Sequence, residues 1–145
     1  MRVVATDISV DALALARENA QLLGADIEFR EADLLNGVDG RFHVVLANLP
    51  YVPRDRALPP DVRDYEPHVA LFGGERGTEL IERFLDEAAS HVVEAAELAV
   101  ELDEEDQATP VARLARALYP KAEVTVLQDN GGYDRVVKIS LPPPE

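Results

Sequence analysis

The segment FHVVLANLPYVP, residues 42–53, decides how this chain is read. Phe42 to Ala47 is a continuous apolar run of strand length, the kind buried on both faces of a parallel sheet. It ends on Asn48-Leu49-Pro50-Tyr51, an amide, a rigid ring and an aromatic where a strand meets solvent. An asparagine carries one acceptor and two donors, and a neighbouring main-chain carbonyl adds an acceptor. Two such acceptors can grip both hydrogens of a planar NH2 group and orient its nitrogen for attack on an electrophilic carbon. Pro50 fixes the turn and biases Leu49 towards extended backbone. Tyr51 can lie over a planar amide or base. The same four residues also suit a plain strand-ending turn with a half-buried tyrosine, so the motif alone leaves both readings open.

Outward from this segment the pattern alternates between strands and helices. Residues 2–7 read as a short strand ending in Asp7. Ser9 is placed to cap a helix with Ala12, Leu15, Ala16, Asn19, Leu22 and Leu23 inward, and Gly24 to stop it. Ile27 to Arg30 alternates as a second strand and runs out at Asp33. Residues 50–77 hold prolines 50, 53, 59, 60 and 67, half of the ten in the chain, and read as a long irregular excursion. Thr78 is expected to cap a helix with Ile81, Phe84, Leu85, Ala88 and Val92 on one face. Glu97 to Leu102 follows as a fourth strand. Thr109-Pro110 is expected to open a helix presenting Val111, Leu114, Ala115 and Leu118, with Pro110 at its first position. Strands near 122–128 and 134–140 flank Asn130-Gly131-Gly132 and are expected to pair antiparallel. This order predicts an α/β, Rossmann-like open sheet, mostly parallel with a C-terminal antiparallel hairpin. Ligands of such sheets bind at the carboxyl ends of strands, where Asp7, Asp33 and Asn48–Tyr51 all fall.

Asp7 suits a carboxylate accepting from ribose-type hydroxyls, and suits equally an acid at a helix N-terminus. Asp33 can accept from an adenine amine with Leu34 beside the base, or simply make a local turn. The three histidines, at 43, 68 and 91, have no carboxylate spacing that makes a metal trio and read as structural or solvent-facing. There is no cysteine, and so no thiolate metal site or disulfide. The 14 basic and 28 acidic residues give a net charge of −14. Arginines are scattered rather than gathered into a basic face, which disfavours nucleic acid as a partner. No 18-residue apolar run or signal peptide is present, so the expectation is a cytoplasmic protein without a membrane partner.

Several stretches together resemble the class I S-adenosylmethionine-dependent methyltransferases. More narrowly, they are similar to the protein-(glutamine-N5) methyltransferases that modify peptide-chain release factors. VVATDIS (3–9) and ALALARENAQLLG (12–24) resemble that family's second strand and helix, FREADLL (29–35) its adenine-side segment, and ANLPYVP (47–53) its substrate-amide motif. VRDYEPHVALFGGERG (62–77), the most specific stretch, resembles its Glu-Pro, Ala-Leu and Gly-turn run, and ELAVELDEEDQ (97–107) and DNGGYDRVVKI (129–139) match its late strands. The resemblance implies methyl transfer from S-adenosylmethionine to a glutamine amide of a release factor, in translation termination. Asp7, Asp33, Leu34 and Asn48 would then contact the cofactor, and Asn48, Leu49, Pro50 and Tyr51 would carry the chemistry. Asn48, Pro50 and Tyr51 would hold the substrate, with Glu66 and Pro67 shaping the mouth. Glu101 matches a family acid, and residues 101–106 read as a solvated strand-to-helix loop.

Two departures qualify this. Leu49 stands where the family has proline, and Asn-Leu-Pro-Tyr also occurs in adenine-methylating RNA dimethyltransferases, which keeps methylation of an adenine amine in RNA or DNA as an alternative. The family's first strand and its Gly-rich turn, which cradle the methionine end of the cofactor, have no counterpart in residues 1–145. The sequence therefore reads as a partial methyltransferase domain over 1–141 with a Pro-rich tail over 142–145. The expectation is an N-terminally truncated domain, and a non-catalytic fragment or a half-domain completed by a missing N-terminal segment or a second chain is the third reading.

Overall fold

A computed structural model describes residues 1–102 and 105–144. It divides into two units, 1–40 and 41–145. In the first, β1 (Val4–Asp7) and β2 (Glu28–Glu31) pair in parallel, with Asp7 opposite Glu31. Between them runs α1 (Val10–Leu23). As expected, Ser9 caps α1 by accepting from the Ala12 N–H at 3.2 Å, and Gly24 ends it at φ 64°. The buried face is not the expected one. Leu13 and Ala20 are buried, whereas Leu15 is 59% exposed, Leu22 85% and Leu23 82%. The apolar stripe is read correctly as apolar, but two short strands offer too little surface to cover it.

In the second unit the strand order is β3 (Phe42–Ala47), β6 (Val92–Glu101), β8 (Asp134–Ser140), β7 (Glu123–Gln128). β3 runs parallel to β6, and β8 runs antiparallel to both β6 and β7. The expected C-terminal hairpin is therefore present within a mixed sheet. β6 begins five residues before the expected strand and takes a bulge, with Ala95 at φ 58° where its register against β3 shifts. The stretch 50–77 is not wholly irregular. It contains β4 (Val52–Pro53), α2 (Pro60–Tyr65), α3 (His68–Leu71) and β5 (Phe72–Gly74), and β4 pairs in parallel with β5.

Two helices complete this unit: α4 (Glu79–Ala88), and α5 (Glu105–Leu118), which packs on β7, β8 and α4. Of the expected inner face of α4, Ile81, Phe84, Leu85 and Ala88 are fully or nearly fully buried, whereas Val92 lies beyond the helix as the first residue of β6. Thr78 precedes α4 but does not cap it with its side chain; its hydroxyl reaches forward to Glu82 Oε1 at 2.8 Å. Pro110 lies inside α5 rather than at its first position. Lacking an N–H, it cannot bond back to the Asp106 carbonyl, so it costs the helix one interior hydrogen bond. The acidic loop expected at 101–106 includes residues 103 and 104, which lie outside the described residues.

Tyr119, just past α5, is 6% exposed and donates its hydroxyl to the Leu85 carbonyl at 2.7 Å. That carbonyl belongs to the last turn of α4, where helical partners run out. Burial, with a smaller effect from Asp86, pushes the phenol up from 10.0 to about 12. The folded protein keeps this proton at pH values where the unfolded chain has released it. Stability is thus undiminished below pH 10 and falls between pH 10 and 12, by on the order of 2–3 kcal/mol. Denaturant titrations across that range should show the loss in the wild type. In Tyr119→Phe the loss should be absent, while stability at neutral pH drops by about 1–2 kcal/mol through the missing hydrogen bond.

Candidate functional site

The residues singled out from sequence fall in both units. In the first, Asp7 and Asp33 stand at the same, carboxyl end of the β1–β2 pair. Asp7 is exposed, and its Oδ1 accepts the Ser9 N–H at 2.8 Å, locking the strand-to-helix turn. The local-turn role is therefore real. One such bond leaves most of a carboxylate's acceptor capacity, enough for a pair of vicinal hydroxyls. Asp33 is exposed and its carbonyl accepts the Asn36 N–H at 3.1 Å. Leu34 sits half-buried at φ 56°, a left-handed conformation uncommon for leucine. Its carbonyl is held by the Thr6 hydroxyl at 3.0 Å, which ties this turn back to β1.

In the second unit, Asn48 is exposed immediately after β3, while Leu49, Pro50 and Tyr51 are half-buried. The chain then enters β4, where Val52 pairs with Phe72, and the Arg54 N–H donates to the Gly74 carbonyl at 2.9 Å. The loop carrying Asn48 is thus laid along the FGGERG stretch, although 20 or so residues separate them in sequence. Glycine is required there. A Cβ on Gly73 would fall within 3.0 Å of the Pro50 carbonyl oxygen, and one on Gly77, at φ 81°, equally close to that of Tyr51. From the other side Gln107 of α5, 4% exposed, donates Nε2 to the Tyr51 carbonyl at 2.8 Å. Glu66 and Pro67 are exposed at the junction of α2 and α3, and α3 runs directly into β5.

Gly73, Gly77 and Gln107 were not among the candidates from sequence. The glycines lay inside the most specific stretch of the resemblance, and a glutamine among Ala108, Val111, Ala112 and Ala115 breaks an otherwise apolar face. Those were the available signals. Among the described residues no three or more His, Asp or Glu side chains are grouped to hold a metal ion. No described helix is long and apolar enough to cross a membrane.

The sheet with its antiparallel C-terminal hairpin defines a Rossmann-like class I methyltransferase fold. A methyltransferase of Pyrococcus furiosus superposes on 99% of this chain and 64% of its own, with a TM-score of 0.69 at 19% identity. A Streptococcus mutans protein solved in complex with SAH superposes on 97% of this chain and 76% of its own, with a TM-score of 0.62 at 15% identity. No protein-family model matches the chain. In sequence the chain is similar to several proteins named release factor glutamine methyltransferase. The Deinococcus radiodurans protein of that name is 41% identical over 138 residues, 94% of this chain and 48% of its own length. The chain therefore spans about half the length of the curated relatives it matches.

Proposed function

We propose that this chain supplies the acceptor-amide site and the nucleoside-binding acids of a methyltransferase that modifies a glutamine side chain in a peptide-chain release factor. The observation that carries the reading is the constrained backbone after Asn48. An exposed amide follows a strand directly, the Pro50 and Tyr51 carbonyls just beyond it pack closely against Gly73 and Gly77, and a buried glutamine donates to the second of them. Such a preorganised set of acceptors suits the NH2 of a glutamine. Asn48 and the main chain at Leu49 and Pro50 accept its hydrogens, and Tyr51 packs beside it. When bound, S-adenosylmethionine would supply a methyl group already activated by its sulfonium, whose carbon–sulfur bond is the one to break, and the methylated amide would release its surplus proton to solvent. Positioning and amide polarisation are what the protein must contribute.

The residues present fit the nucleoside end of that donor. Asp7 has acceptor capacity for ribose hydroxyls, and Asp33 with Leu34 frames adenine. The methionine end has no Gly-rich turn in this sequence to receive it. β3 bears Val44 and Leu46, 58% and 74% exposed, on the face opposite Val45. Apolar side chains so displayed on a strand of this composition favour completion by a further segment, from the same polypeptide or from a second chain. The charge of −14 favours a protein acceptor over adenine in RNA or DNA.

Titration calorimetry of S-adenosylmethionine into the chain tests the nucleoside part. Asp7→Ala is expected to weaken binding about tenfold or more. Asp7→Asn, which keeps an acceptor for the Ser9 N–H, separates loss of the ribose contact from loss of the turn. Equal affinity in all three proteins would overturn the assignment of Asp7.

A further inference from the structure

We infer that Gln107 is a positioning residue for the acceptor-amide site, acting through the Tyr51 carbonyl. Its amide lies on the inner face of α5 beside buried Ala108, Val111 and Ala112. At such a position a methionine or leucine would pack without the cost of desolvating an amide. Nε2 recovers part of that cost through its bond to Tyr51, but Oε1 is buried with no hydrogen-bond partner among the described residues. A half-satisfied buried amide is a poor device for stability alone, and such violations concentrate at functional sites.

What the bond accomplishes is directional. Gly73 makes room for the Pro50 and Gly77 carbonyls and Gly77 for the Tyr51 carbonyl and the Gln107 amide, so both glycines permit the close approach without themselves pulling on the loop. Gln107 is the donor that draws the Tyr51 carbonyl inward, and a Cβ on Gly77 would lie 2.8 Å from that same Nε2. With the Tyr51 peptide plane fixed, the planes before it are constrained to one orientation. The Leu49 and Pro50 carbonyls and the Asn48 side chain then keep a single arrangement for an incoming NH2. This deepens the function proposed above and, for its catalytic consequence, rests on it.

The test is amide hydrogen exchange on the intact chain, which reads the loop whether or not methyl transfer is detected. Gln107→Met keeps the side chain's length and removes the donor. Exchange at the Tyr51 and Val52 amides should rise about tenfold, the loss of one hydrogen bond, while Leu98, Val137 and Ile139 keep their protection. Gln107→Glu supplies the second arm. A protonated carboxyl can still donate to the Tyr51 carbonyl and an ionised one cannot. The loop should therefore be protected at low pH and loosen as pH rises, relative to wild type at each pH. Unchanged loop exchange in Gln107→Met, or a Gln107→Glu loop that ignores pH, would overturn the inference. Where methyl transfer is measurable, Gln107→Met should lower kcat and leave the KM for S-adenosylmethionine unchanged. A wild-type chain with an ordered, Gln107-dependent loop and no transfer would count against the proposed function and not against this role.

Discussion

Gly77→Ala is expected to destabilise the second unit by about 2–5 kcal/mol, more than any other single methyl addition to its glycines except at Gly73. Two costs combine. At φ 81° a Cβ is in the left-handed region, which costs an L-residue about 1–2 kcal/mol. The same Cβ would also lie within 3.0 Å of the Tyr51 carbonyl oxygen, and backbone packed this tightly yields only at a further 1–3 kcal/mol or so. Gly132 is the matched control, with φ 82° and nothing within 4 Å of its would-be Cβ. Gly132→Ala should show the conformational cost alone. Urea denaturation of the two variants beside the wild type gives the difference directly. Equal losses would mean that the loop after Asn48 moves aside freely and is not constrained as described.

Asn48→Ala carries the largest expected functional effect. Asn48 is exposed, so the substitution should leave stability within about 0.5 kcal/mol. Methyl transfer to glutamine should nevertheless fall by about 10²–10³-fold, the usual consequence of removing one preorganised hydrogen-bonding group from a reacting centre. Asn48→Asp retains an acceptor but adds a charge and removes the NH2 donors, and should fall between the two. The measurement is initial rate against glutamine acceptor at saturating S-adenosylmethionine. A rate unaffected by Asn48→Ala would leave this stretch as an ordinary strand-ending turn.

The elements defined by one dominant local signal were legible in the sequence. β3 matches Phe42–Ala47 in extent because its largely apolar run is bounded by Arg41 and Asn48, but the expected burial of that run does not hold, since Val44 and Leu46 are exposed. α4 buries Ile81, Phe84, Leu85 and Ala88 because their spacing leaves no other face apolar. The inner face of α1 was misread because periodicity reports what a helix could bury, while burial depends on what it meets. Leu22 and Leu23 stay exposed. Pro110 was misplaced by a rule that favours proline at the first helical position, whereas the helix begins upstream at Glu105. The candidate site was legible in its exposed groups and illegible in its support. Asn48 announces itself by type and place. The need for glycine at 73 and 77, and the use of Gln107, depend on carbonyls that arrive from 20 to 60 residues away, and nothing local encodes that approach.

The proposed function assigns Asn48 and the loop after it to the binding of a release-factor glutamine amide. Mass spectrometry of a release factor incubated with S-adenosylmethionine and the purified chain tests it most directly. The reaction should be run with the chain alone and with the part of the Deinococcus radiodurans relative that it does not match. The account predicts one added methyl group on a glutamine side-chain nitrogen, abolished by Asn48→Ala. A complemented chain that binds S-adenosylmethionine yet leaves that glutamine unmodified, or that methylates adenine in RNA instead, would contradict it.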